Sequence, residues 1–118
     1  MATATCFEDL EVWKLSMNIA VEIYGLLKEC KDFGFKDQIQ RACVSIPSNI
    51  AEGFDRKSNK EFCYFLYIAR GSCAEVRTLL YLAKQLTFIE KEVVAKLIKN
   101  TDHISRMLYN IIKYRSSL

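Results

Sequence analysis

Proline occurs once and glycine four times in 118 residues, too few turn formers for the many reversals of an all-β domain, so helices are expected throughout. The chain has one histidine, His103, and its five cysteines, Cys6, Cys30, Cys43, Cys63 and Cys73, include no C-x-x-C spacing. That set completes no familiar Cys/His zinc site, and the odd count points to a reduced, cytoplasmic chain whose cysteines fill core space. The longest run without a charge, Ala42–Ala51, covers ten residues, short of the roughly 18 that a membrane span needs. Glu8, Asp9 and Glu11 stand where an export signal requires a basic start and an apolar stretch. Also missing are a Walker A loop, a G-x-G-x-x-G fingerprint, a G-x-S-x-G elbow and the paired Glu-x-x-His of a di-iron bundle. No catalytic residue, metal or other cofactor is therefore expected, and no membrane partner.

What is present is 51% hydrophobic and 26% charged residues, an ordinary balance for one small domain with its own core. The apolar periodicity predicts an up-and-down four-helix bundle, with helices over 9–31, 35–56, 59–86 and 90–115 and breaks at Gly34, Asp55 to Asn59 and Thr87 to Phe88. In the first helix Leu10, Trp13, Met17, Ala20, Tyr24 and Leu27 advance by threes and fours and share one face. Val12, Ile19, Ile23, Leu26 and Cys30 make a second apolar stripe, read as roughly opposite. One helix of a lone bundle buries one face, so two stripes point to another subunit.

Ser58 is the expected N-cap of the third helix, with Glu61 at the capping-box position. Phe62, Phe65, Ala69, Cys73, Val76, Leu80 and Ala83 form its core stripe, beside a mixed face of Tyr64, Ile68, Gly71, Ser72, Glu75, Leu79 and Leu82. Small Gly71 and Ser72 leave room for a neighbouring helix. The fourth helix repeats Val94, Leu97, Thr101, Ile104, Leu108 and Ile111 as core.

The second helix is less ordinary. Pro47 interrupts it and removes the donor to the Cys43 carbonyl, so a kink or short break is expected, with Ser45 or Ser48 satisfying a freed carbonyl. Arg41, Ser45, Ser48 or Asn49, Glu52 and Arg56 fall in one polar row. With Glu61, Ser72 and Glu75 of the third helix, Arg41, Ser45, Asn49 and Glu52 make a candidate assembly network, since polar groups among small apolar ones usually need partners rather than substrates.

Charge is unevenly spread. Residues 1–33 hold three Lys against six Asp and Glu, whereas residues 90–118 hold six Lys and Arg against three acids. Arg70, Arg77 and Lys84 recur every seven residues with Tyr67 and Tyr81 in the same stripe, along roughly 21 Å of helix. Lys96, Lys99, His103, Arg106, Asn110 and Lys113 make a similar stripe on the fourth helix. Arg70, Arg77, Lys84, Lys99, Arg106 and Lys113 are the candidate phosphate contacts, suited to backbone binding without a fixed base-reading element.

Three runs carry a resemblance. Phe7-x-x-Leu10-x-Val12-Trp13, then Gln38-Ile39-x-Arg41-Ala42-x-x-Ser45-Ile46-Pro47-Ser48-Asn49-Ile50-Ala51-Glu52-Gly53, then Lys60-Glu61-Phe62-x-x-Phe65-Leu66-x-Ile68-Ala69-Arg70-Gly71-Ser72-x-x-Glu75 together resemble the bacterial four-helix-bundle family named for proteins encoded in intervening sequences of 23S ribosomal RNA genes. The resemblance covers most of the first three helices. It implies a four-helix protomer assembled into a ring, typically a homopentamer. It also implies a distant kinship to the accessory variability determinant of diversity-generating retroelements, a basic pentamer that binds nucleic acid and a reverse transcriptase. The family name reports where such genes lie and implies no ribosomal role.

The reading that follows is a non-enzymatic homo-oligomer that binds RNA or DNA, or serves an RNP, through basic helix faces. Its alternative is a protein-interaction scaffold with no nucleic-acid role, whose partner is encoded nearby. An enzyme using Ser45, Asn49 and Glu52 would require a buried pocket with a perturbed carboxylate.

Overall fold

Asp32 accepts a hydrogen bond from the Phe35 amide at 3.1 Å, and Ser58 accepts one from the Glu61 amide at 3.1 Å, so each caps the helix that follows it. Those helices are two of four in the computed structural model, which describes residues 4–118. A 3-10 turn, Phe7–Asp9, leads into α1 (Glu11–Leu26), α2 (Phe33–Phe54), α3 (Asn59–Gln85) and α4 (Lys91–Ser116), with no strand among the described residues. Each helix packs on its two sequence or ring neighbours, α1 on α2 and α4, and α3 on α2 and α4. The result is an elongated bundle, 45 × 22 × 21 Å.

The expected breaks hold with one exception. Gly34 lies inside the first turn of α2, because Asp32 starts the helix earlier. The first helix also ends sooner than its periodicity suggests. The chain turns after Leu26, and fully buried Leu27 enters the core from the turn. At the same end of the molecule Thr87 adopts φ 59°, a left-handed conformation that glycine usually takes. There the Phe88 amide donates to the Ala83 carbonyl at 2.8 Å and the Thr87 amide to the Lys84 carbonyl at 3.1 Å, closing α3 with a Schellman motif. Phe88 then packs on Phe35, ring centroids 5.1 Å apart.

Pro47 does not break α2, which runs continuously through it with Pro47 buried. Neither Ser45 nor Ser48 takes over the Cys43 carbonyl; the Ser45 hydroxyl turns outward to α3 instead. The core is drawn from one stripe per helix: Val12, Ile19 and Ile23 of α1, Ile39, Ile46 and Ile50 of α2, Leu66, Val76 and Leu80 of α3, and Leu97, Ile104 and Leu108 of α4. Buried Thr101 satisfies its hydroxyl by donating to the Leu97 carbonyl at 2.7 Å. Phe65 and Ile111 sit at the core margin, and Leu66 and Ile112 take the fully interior positions.

The two apolar stripes of α1 have exchanged roles. Val12, Ile19 and Ile23 face the core, while Trp13, Met17 and Tyr24 face outward along α2. At 100° per residue they lie about a third of a turn apart rather than opposite, and Ala20, on the flank of the outward stripe nearer the core, is buried.

α2 lies close on α3 at Gly53, where an added Cβ would lie 2.6 Å from Phe65 Cβ and 3.1 Å from Phe62 Cδ1. Gly53→Ala therefore costs about 2 kcal/mol of stability, read from the urea midpoint. Thr87→Gly relieves the left-handed strain and gains about 0.5 kcal/mol after its greater unfolded-state entropy. An unchanged midpoint for Gly53→Ala would contradict the contact.

Candidate nucleic-acid interface

The polar row of α2 divides into separate pairs. Arg41 pairs with Asp37 at 3.0 Å and Arg56 with Glu52 at 2.9 Å, both i,i+4 and solvent-exposed, and each worth about 0.3–0.5 kcal/mol. Ser45 crosses to α3 by a hydrogen bond, with Asn49 bracing it along α2, and the Arg56 guanidinium lies 4.8 Å from the centroid of the Phe65 ring. Ser45 Oγ and Ser72 Oγ are 2.8 Å apart, and Asn49 Nδ2 donates to the Ser45 carbonyl at 2.8 Å and to Ser45 Oγ at 3.0 Å. Glu61 serves the α3 cap, where Ser58 Oγ also donates to Glu61 Oε2 at 3.2 Å. Glu75 is exposed on the outer face of α3, with no hydrogen bond or ion pair to another described residue. Of the seven residues expected to form one network, the structure joins three, Ser45, Asn49 and Ser72. Glu52 is exposed rather than lodged in a pocket.

The basic residues are organised by the outer seam between α3 and α4. These helices run antiparallel, so Arg70, Arg77 and Lys84 meet α4 residues in descending order. Arg70 Nε donates to Ser105 Oγ at 3.4 Å, and its guanidinium carbon lies 5.1 Å from the Tyr109 ring centroid. Arg77 Nη1 lies 3.5 Å from Asp102 Oδ1, and Arg106 Nη2 lies 3.0 Å from Asp102 Oδ2. Lys84 lines a depression of about 220 Å³ with Tyr81, Lys91 and Ile98. At the opposite end Lys60, Tyr64, Tyr67 and Arg115 line a second depression of about 510 Å³. Arg115 is held there, donating to Asn59 Oδ1 at 2.9 Å and stacking 5.0 Å from the Phe62 centroid.

On α4, Lys99, Asp102, Arg106, Tyr109 and Lys113 step by threes and fours, which places all five along the seam edge. Exposed Lys96, three residues before Lys99, extends the row, whereas His103 lines a shallow hollow against Leu15, Asn18 and Glu22 of α1 and leaves the stripe expected on this helix. Lys84, Lys99 and Lys113 are exposed, whereas Arg70, Arg77 and Arg106 are engaged within the protein. Asp102 itself was not among the expected site residues. Its place four before Arg106 is a local sign of a pair, but its approach to Arg77 depends on the α3–α4 register. The Arg77 and Asp102 side chains are 36% and 37% exposed, and such pairs contribute about 0.2–1 kcal/mol.

A second surface faces away from the seam. Trp13, Met17, Val21 and Tyr24 of α1 and Val44, Pro47 and Ala51 of α2 line an open apolar groove of about 590 Å³. The back of α3 is separately apolar, with Tyr64, Ile68, Leu82 and Leu86 all exposed and Gly71 among them. No described helix is long and apolar enough to cross a membrane.

The model of the family described as 23S rRNA-intervening sequence protein matches residues 8–110. Among solved structures, the chain is similar to a protein of unknown function from the S23 ribosomal protein family of Bacteroides thetaiotaomicron VPI-5482. The TM-score is 0.81 and the identity 31%, with 86% of this chain and 98% of that chain covered. A search of curated proteins finds no match. The matched span takes in α1, α2, α3 and most of α4, so the likeness reaches beyond the three runs that first suggested it.

Cysteine chemistry follows from burial. Cys43, Cys63 and Cys73 are buried, and loss of solvation pushes the Cys43 thiol up to about 11 and the Cys73 thiol up to about 12, the latter despite Arg77 and Arg70 nearby. Both are thiols at any physiological pH. Cys6 and Cys30 are partly exposed. A disulfide reagent at pH 8 therefore titrates Cys6 and Cys30 in the folded protein and the other three only after unfolding; early modification of Cys43 or Cys73 would contradict the packing.

Proposed function

This chain belongs to the 23S rRNA-intervening sequence protein family, and we propose that it works without catalysis, as a ring of identical bundles that binds nucleic acid along the α3–α4 seam of each subunit. One observation carries the nucleic-acid reading. From Tyr67 to Lys84 on α3 and from Ala95 to Lys113 on α4, the seam gathers Arg70, Arg77, Lys84, Lys99, Arg106 and Lys113 beside exposed Tyr67, Tyr81 and Tyr109, against Asp102 within that span and Glu90 and Glu92 beside Lys84 at its end. Glu75 points away from it, on the back of α3. Cations spread along an extended edge, with no helix set to enter a groove, suit phosphate contacts rather than sequence readout.

The ring is supported by the two apolar surfaces. A groove on α1 and α2 and a ridge on the back of α3 are different in shape, so a copy that seats its ridge in the next copy's groove makes a head-to-tail contact, the kind that forms a ring when the rotation between copies closes. Gly71, with nothing within 4 Å of an added Cβ, leaves that ridge open to a close approach. Five subunits is the number the family resemblance implies. Repetition matters to function, because several weak basic seams held together bind one polyanion far more tightly than one seam does.

A second reading, a scaffold for another protein, is favoured by the same groove if its occupant is not a second copy. Light-scattering mass decides between them. The wild-type chain is expected to run as a ring, and Val21→Glu, a charge placed at the 68% exposed rim of the groove, to run near 13.7 kDa. A monomeric wild type would contradict the ring. For the seam, the triple variant Lys84→Glu, Lys99→Glu, Lys113→Glu should weaken binding of a labelled oligonucleotide at least about tenfold and flatten its salt dependence. Undiminished affinity would contradict the assignment.

A further inference from the structure

We propose that the α3–α4 seam is built for a single strand, with Tyr81 and Tyr109 as base-stacking platforms and the Arg77–Arg106 pair as a phosphate seat that Asp102 fills in the free protein. This rests on the nucleic-acid reading above and names the ligand more narrowly.

The first strand of the argument is the alternation of rings and cations. Passing along the seam from the end of α3 toward its start, Tyr81 stands with Lys84 and Lys91, then come Arg77 and Arg106, then Arg70 over Tyr109, then Tyr67 with Lys60. Tyr81 and Arg70 are eleven residues apart on α3, roughly 16 Å, so the two platforms are separated by a stretch of backbone length with guanidiniums between them. Tyr81 and Tyr109 are each about half exposed, on surfaces where solvation alone would favour charged side chains. A duplex keeps its bases stacked inside and offers these rings nothing, whereas a single strand offers a π-face at every base.

The second strand is the geometry at Asp102. Two guanidiniums from different helices converge on its two carboxylate oxygens, at 3.5 and 3.0 Å. A phosphodiester presents the same features, one negative charge over two oxygens, and guanidinium forks bind either. Arg77 Nε is buried without a hydrogen-bond partner among the described residues, so this fork is incompletely used. Asp102 thus holds both arginines in place and is itself what an incoming phosphate must displace.

Fluorescence polarisation with labelled oligouridylate and a labelled A·U duplex, using the full chain, tests both parts. The wild type should prefer the single strand. Tyr81→Ala and Tyr109→Ala should each weaken the single strand by about tenfold and the duplex by less than about twofold. Tyr81→Phe should keep the wild-type affinity, since the ring and not the hydroxyl is used. Asp102→Asn should tighten single-strand binding several-fold and steepen the log–log salt slope by about one. Equal affinity for both probes, untouched by the tyrosine changes, overturns the single-strand inference while leaving nucleic-acid binding in place. Unchanged or weaker binding by Asp102→Asn overturns the phosphate seat. Failure of the wild type to bind either probe overturns the broader reading instead.

Discussion

The contact on which the rest of the molecule depends is the close packing of α2 against α3 at Gly53. Only a residue without a side chain lets the α2 backbone rest on Phe62 and Phe65, and that approach fixes how α3 is rotated about its axis. Once one flank of α3 is given to α2, through Phe65 and the Ser45–Ser72 bond, its opposite flank must meet α4. Tyr67, Arg70, Arg77 and Tyr81 lie on that flank. The back of the helix, with Tyr64, Ile68 and Leu82, is then left to solvent or to a partner. A rotation of α3 by one residue, about 100°, would send the arginines toward the back and dismantle the seam.

Chemistry divides along the same line. The apolar groove is made by α1 and α2, whose surroundings hold most of the acids of the first 33 residues, and the cationic seam by α3 and α4. Assembly through the groove and the ridge therefore need not cover the seam. In the ring proposed above, the seam would repeat from subunit to subunit, with like charges spaced apart and open to a polyanion. The weak internal pairing of Arg77 and Arg106 with Asp102 fits this picture, because it orders long side chains without committing them.

Most of the fold is legible in the sequence because it rests on local signals. Ser58 and the Thr87–Phe88 turn mark helix ends by capping and backbone chemistry, and the 3/4 spacing of Leu97, Thr101, Ile104 and Leu108 selects the core face of α4, whereas the Asp32 cap starts α2 earlier than the break expected at Gly34. The seven-residue recurrence of Arg70, Arg77 and Lys84 is enough to place them on one edge. What spacing does not give is relations between helices. The role of Asp102 depends on the α3–α4 register, the choice of which α1 stripe is core depends on where α2 and α4 stand, and the continuity of α2 through Pro47 depends on the packing around it. The polar row of α2 divides for the same reason. Arg41 and Glu52 find partners four residues away along their own helix, and only Ser45 and Asn49 contribute to the contact with Ser72.

The most direct test of the central claim is to map where a nucleic acid touches the assembled protein. Photocrosslinking of 4-thiouridine-containing single-stranded RNA to the full chain, followed by peptide mass spectrometry, reports this without any substitution. The account predicts crosslinks concentrated on the peptides bearing Tyr81 and Tyr109, at the α3–α4 seam, and competed away by salt. Crosslinks confined to the α1–α2 groove, or distributed without preference over the surface, would contradict it.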